Sequence, residues 1–157
     1  MKKFNNENDE VYGDICEKLF IEAYGKDWIK LPGKHLEADF KHKKQRVFGE
    51  LKSRKYEHNR CPDWMVGKNK IDLADKLYKK KVGFVIYNMF YDGLWKWVYS
   101  PEKVKTDCNI REGGRLDRGK NELKPDYYYI KKECMIKCKK NVCAPRIKDP
   151  FAELMIE

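Results

Sequence analysis

The spacing of apolar residues changes several times along the chain, and each change predicts an element. Over residues 9–24, Val11, Tyr12, Ile15, Cys16, Leu19 and Ala23 recur at helical spacing. Asp9 stands where such a helix is capped, and Gly25 where it ends. Residues 28–31 form a short strand closed by the turn signal Pro32-Gly33. The period then drops to two. Leu36, Ala38 and Phe40 alternate with Glu37, Asp39 and Lys41. After a polar turn at 43–46, Val47, Gly49 and Leu51 alternate with Phe48, Glu50 and Lys52. Two half-buried strands joined as a hairpin are the expectation. A basic loop, residues 53–62, comes next. A second helix is expected from Asp63, or from near Lys68 because of Gly67, to about Lys81. Trp64, Ile71, Ala74, Leu77 and Tyr78 would form its buried side, and Lys68, Lys70, Lys76, Lys79, Lys80 and Lys81 the other. Residues 82–90 are a dense β-branched and aromatic run, and Tyr91-Asp92-Gly93 turns the chain into the returning strand 94–99. Trp95 and Trp97 read there as packing residues. Beyond Pro101 the pattern weakens; residues 126–130 read as a last short strand and 131–141 as a short helix. Through Tyr99 the order is α-β-β-β-α-β-β. The predicted class is α/β (α+β mixed), a central mixed sheet flanked by helices.

Composition narrows the partner. The chain of 157 residues carries a net charge of +10 and has a pI near 9.2, which points to a polyanion. Nucleic acid comes before an anionic membrane, because no amphipathic lysine-rich helix with a Trp/Leu face stands out. No apolar run approaches the ~20 residues of a membrane span. The first residues, MKKFNNENDE, lack the apolar stretch of a secretory signal, so an intracellular, cytoplasmic location is expected. A single domain over 1–157 is expected, with a core at about 9–100 and an extension at 101–157. The six cysteines are expected as thiols. Cys108, Cys134, Cys138 and Cys143 lack the paired C-x₂-C spacing of strong zinc sites, so zinc is not expected.

The candidate chemistry lies in residues 36–54. Period-two geometry puts Glu50 and Lys52 on one strand face, and a hairpin brings Asp39 beside them. Two carboxylates so placed repel each other unless a cation sits between them. Oxygen donors with room for water suit Mg²⁺, with Mn²⁺ as the alternative. An adjacent lysine can orient an attacking water or stabilise charge on a phosphate. A second copy of the pattern, Glu122-Leu123-Lys124, lies in a Gly-rich polar run. Pro125 comes directly after it, which argues against a central strand, so it is set aside.

Asp39 followed by Glu50-Leu51-Lys52 resembles the PD-(D/E)xK nuclease superfamily, and the element order resembles it over about residues 9–100. Ala38 stands where the name-giving proline usually is. The resemblance implies a restriction-endonuclease-like fold and a metal-dependent deoxyribonuclease that hydrolyses phosphodiesters through a Mg-activated water. It implies Asp39 and Glu50 as metal ligands, with the Leu51 carbonyl as a further one, and Lys52 acting on the water. An acid from the first helix would complete the site, Glu17 fitting best, with Asp14 and Glu10 as alternatives. Arg54, Lys55 and Arg60 in the basic loop, Lys68 and Lys70 on the second helix, and Arg115 and Arg118 in the Gly- and Arg-rich segment 111–120 are candidates for DNA phosphate contact. A homodimer would let such an enzyme cut both strands. A small lysine-rich nuclease of this kind would suit a phage or other virus. The alternative is a non-catalytic nucleic-acid-binding protein on the same fold.

Overall fold

A computed structural model describes residues 6–32, 38–113 and 124–146. Helix α1 (Asn6–Tyr24) leads into β1 (Trp28–Lys30), β2 (Phe40–His42) and β3 (Val47–Ser53). A 3₁₀ turn (His58–Arg60), β4 (Asp63–Val66) and α2 (Lys68–Lys79) come after them. Then come β5 (Gly83–Phe90), β6 (Gly93–Val98), α3 (Pro101–Asp107), β7 (Cys108–Gly113), β8 (Lys124–Lys131), a second 3₁₀ turn (Lys132–Cys134) and β9 (Ile136–Lys137). A six-stranded mixed sheet runs β1-β2-β3-β5-β6-β9, with β3 and β5 parallel at its centre. A smaller sheet runs β4-β8-β7. The mixed sheet flanked by helices is the restriction-endonuclease-like architecture.

Alternation along the strands divides the core into two layers. Leu51, Val85, Tyr87 and Met89 point to α1, where Tyr12, Cys16 and Phe20 meet them. Phe84, Ile86, Phe90 and Trp97 point the other way, to Ile71 and Ala74 of α2 and to Trp64, Val66 and Ile130 of the small sheet. Trp95 and Trp97 are both buried in this layer. Gly49 matters in the first layer, because a Cβ there would lie 3.1 Å from the Trp28 ring. Gly93 closes the β5–β6 hairpin with φ +148°, a conformation costly for any other residue.

Several expectations change. The buried stripe of α1 is Tyr12, Cys16 and Phe20, at i, i+4, i+8; Val11 and Ile15 face solvent. The strand expected from Leu36 is ordered as β2 only from Phe40, and residues 33–37 lie outside the described residues. Residues 63–66 form β4 rather than a first helical turn, because Asp63 through Val66 pair with Lys131 through Tyr128. The helix begins at Lys68, after Gly67. Residues 131–141 form a 3₁₀ turn and β9 instead of a helix, since Ile136 and Lys137 pair with Lys96 and Trp95. Pro125 does lie within β8, the middle strand of the small sheet. It sits near the strand start, beside the irregularity at Arg111/Gly113, and β4 pairs only with residues 128–131. The missing N–H therefore falls where the ladder is already incomplete.

Candidate active site

The site is built where β2 and β3 stop pairing. Their ladder runs through Lys41↔Phe48 and Phe40↔Gly49. At the next position the Asp39 backbone is held from both sides: its N–H donates to the Gly49 carbonyl (3.0 Å), and its carbonyl accepts from Leu31 N–H (2.9 Å). The side chain then takes over from the ladder. Asp39 Oδ2 accepts the Leu51 N–H at 2.8 Å. Asp39 is thus fixed across from Glu50 by two strands and its own carboxylate.

Glu50 is 4 % exposed, in the middle of β3. Its register partner is Ile86, and that of Lys52 is Asn88, so both side chains emerge on the α2 side of the sheet. Lys52 Nζ lies 3.2 Å from Glu50 Oε1. Lys70 Nζ, from the first turn of α2, lies 3.3 Å from Oε2. The second contact is an ion pair only, for the buried Oε2 makes no hydrogen bond. Asp39 is pushed up to about 6, by burial first and by the negative charge of Glu50 second; the Leu51 N–H, Lys52 and Lys70 pull the other way. The two carboxylates therefore feel each other even with both lysines present.

Glu17 takes a different place. It projects from α1, on the opposite side of the sheet, and binds Lys30 of β1 at 2.6 Å. That bond raises the Lys30 pKa, with smaller contributions from Asp14 and Asp39. Glu17 is thus linked to Asp39 electrostatically, through Lys30. Asp14 and Glu10 are exposed on α1. Among the described residues, no three His, Cys, Asp or Glu side chains come together as a ligand set.

The basic residues separate into groups. Arg54 is engaged within the fold: Nε donates to Asn88 Oδ1 (3.0 Å), a terminal nitrogen donates to the Met65 carbonyl (2.5 Å), and the guanidinium lies 5.6 Å from the Trp64 ring centroid. Lys55 lies over the Tyr12 ring at 5.0 Å. Arg60 is exposed on the 3₁₀ turn. Lys68 faces outward near Asp72 (4.0 Å), whereas Lys70 turns into the site. Arg115 and Arg118 lie outside the described residues. Two site features escaped sequence reasoning. One is the pairing of Lys70 with Glu50. The other is Asn88, fully buried beside Lys52 and anchoring Arg54. A lone amide in the apolar run GFVIYNMF was the available signal for Asn88.

The donor set fits an oxygen-seeking divalent cation. A buried carboxylate oxygen without a hydrogen bond, facing a second carboxylate whose ionisation is suppressed, is an arrangement that such a cation relieves. Asp39 and Glu50 would supply the charged oxygens.

A protein-family model described as "Phage putative PDDEXK endonuclease" matches residues 14–140. The chain belongs to this family. The match takes in Glu17, Asp39, Glu50, Lys52 and Lys70, and extends past β6 through β7, β8 and β9. No curated protein and no solved structure matches the chain. For a member of a PDDEXK endonuclease family, nucleic acid is the substrate class. No described helix is long and apolar enough to cross a membrane.

Proposed function

We propose that the chain is a divalent-metal-dependent DNA endonuclease whose centre is Asp39, Glu50 and Lys52. The observation that carries this reading is the convergence of two carboxylates and an ammonium at the end of the β2–β3 ladder. The Asp39 carboxylate is locked by the Leu51 N–H and faces a Glu50 that is almost wholly buried. A structural ion pair does not need a second, opposed carboxylate at the same spot. A pair of metal ligands does.

Asp39 and Glu50 would hold Mg²⁺ or Mn²⁺, with the Leu51 carbonyl, on the strand between Glu50 and Lys52, as a further oxygen. Such a cation would supply Lewis acidity to the attacking water and the scissile phosphate. Lys52 has a reach that suits it to the reacting groups: it is anchored on β3 next to Glu50, yet its side chain is 36 % exposed. Its ammonium orients the water or balances charge on the phosphate oxygens as the P–O bond breaks. Glu17 and Lys30 act at one remove, by fixing the charge that Asp39 meets from the α1 side. Lys55, Arg60 and Lys68 would hold the DNA backbone, a role consistent with the net charge of +10. Two copies would bring two such centres to a duplex.

The test is incubation with supercoiled, linear, single-stranded and branched DNA in Mg²⁺, Mn²⁺ and EDTA. Cleavage with either metal and none in EDTA is the expected result. Retardation of DNA without any product in either metal would favour a binding protein on this fold and overturn the reading.

A further inference from the structure

Glu50 holds more positive charge than one catalytic lysine requires. Lys52 pairs with Oε1 from the neighbouring strand position, and Lys70 pairs with Oε2 from a separate helix. The helix makes a choice here. Lys68 is 52 % exposed and pairs along α2 with Asp72, whereas Lys70 is 16 % exposed and points at the sheet. The buried Ile71 and Ala74 fix that rotation, so the Lys70 backbone cannot withdraw without moving the helix. The contact also lacks hydrogen-bond geometry on the Oε2 side. It is a charge placed near an oxygen rather than a fully formed bond.

Asp39 and Glu50, when ionised, carry two negative charges; Lys52 and Lys70 carry two positive ones. The centre is balanced as it stands. A divalent cation between the carboxylates would leave an excess of two positive charges, in a site where Glu50 is buried and screening is weak. The excess falls on the lysine that is least able to move into solvent, which is Lys70. We propose that Lys70 is a built-in cation that occupies Glu50 when no metal is bound, is displaced from it by the divalent ion, and thereby sets the metal affinity of the site. The inference rests on the reading of Asp39 and Glu50 as metal ligands. It makes metal binding weak in the free protein and stronger with DNA, because each backbone phosphate brings one negative charge and offsets part of the excess. By linkage, metal would tighten DNA binding by the same factor.

The test is calorimetric titration with Mg²⁺ and Mn²⁺ alone, at pH 8, of the parent, Lys70→Met, Lys70→Gln, Lys70→Arg and Lys68→Met. Removing a like charge at this distance should tighten metal binding about tenfold or more in Lys70→Met and Lys70→Gln. Lys70→Arg and Lys68→Met should bind like the parent. Thermal melting gives an independent readout: Lys70→Met and Lys70→Gln should melt lower than the parent in EDTA and gain more from Mg²⁺. Lys70→Gln keeps a neutral donor for Glu50, so it remains informative if Lys70→Met does not fold without metal. Equal or weaker metal binding by both variants, with the parent binding normally, would overturn this inference and leave the metal site standing. Absence of binding in the parent and in every variant would overturn the metal site and this inference with it.

Discussion

Replacing Asp39 with Asn should make the metal-free protein more stable while destroying its activity. The substitution removes one charge and keeps an oxygen for the Leu51 N–H. In the parent, burial and the Glu50 charge move Asp39 from 3.8 up to about 6. That difference of about two pH units converts to roughly 3 kcal/mol. The sign comes from linkage. The folded protein binds this proton more tightly than the unfolded chain does, so the group favours folding below about pH 3.8, and that advantage is lost as pH rises through about 6. At pH 7.5 in EDTA the parent carries the whole penalty, and Asp39→Asn does not. For a chain of this size, each kcal/mol shifts Tm by about 2–4 °C, so a gain of roughly 6–12 °C is expected. At pH 5 the gain should fall to about half, because Asp39 in the folded parent is then mostly protonated. Mg²⁺ should narrow the gap by stabilising the parent more than the variant. Differential scanning calorimetry at the two pH values, with EDTA or Mg²⁺, reads all of this. An unchanged or lower Tm for Asp39→Asn in EDTA at pH 7.5 would refute the opposed-carboxylate argument, as would an equal gain at both pH values.

The same geometry fixes three further outcomes. Lys52→Ala and Lys52→Arg should each lose about a hundredfold or more in cleavage rate, because the ammonium must be placed rather than merely present; DNA binding in Ca²⁺ should change far less, and an Arg variant that cuts like the parent would refute the assigned role. Arg54→Ala should lower stability by about 1–3 kcal/mol, by leaving buried Asn88 without its partner, while DNA affinity per folded molecule stays near that of the parent. DNA binding measured across a salt series should give a clear negative log–log slope, and a flat series would show that the net charge of +10 is not used on phosphate.

The β2–β3 hairpin and its acids could be read from sequence because strand geometry is local. Period two dictates that Glu50 and Lys52 share a face, whatever the rest of the chain does. Helical phase is harder to fix. Val11, Tyr12, Ile15 and Cys16 make a broad apolar band, and only packing against Phe40, Tyr87 and Trp28 selects Tyr12, Cys16 and Phe20 as the buried line. The same limit hid the part played by Lys70. Lys68 and Lys70 look alike in sequence, but two residues on a helix are about 200° apart, and the burial of Ala74, one turn on from Lys70, decides which one turns inward. The middle of β8 was legible as a strand over residues 126–130, whereas β4 and β9 depend on partners distant in the chain, such as Trp64 with Ile130, and such short segments carry little periodicity of their own. Glu17 was expected beside Asp39 on the strength of a family resemblance, and its half-buried position on α1 was legible. Its partner Lys30 was not, because their contact joins a helix to an edge strand.

If Asp39, Glu50 and Lys52 form one metal-dependent cleavage centre, loss of one buried carboxylate must abolish cleavage. Single-turnover cleavage of plasmid DNA by the parent and by Glu50→Gln, each in Mg²⁺ and in EDTA, tests it most directly. Product is expected from the parent in Mg²⁺ but not in EDTA, and none from Glu50→Gln under either condition, with both proteins folded and still binding DNA. Cleavage by Glu50→Gln at the parent rate, or by the parent in EDTA, would contradict it.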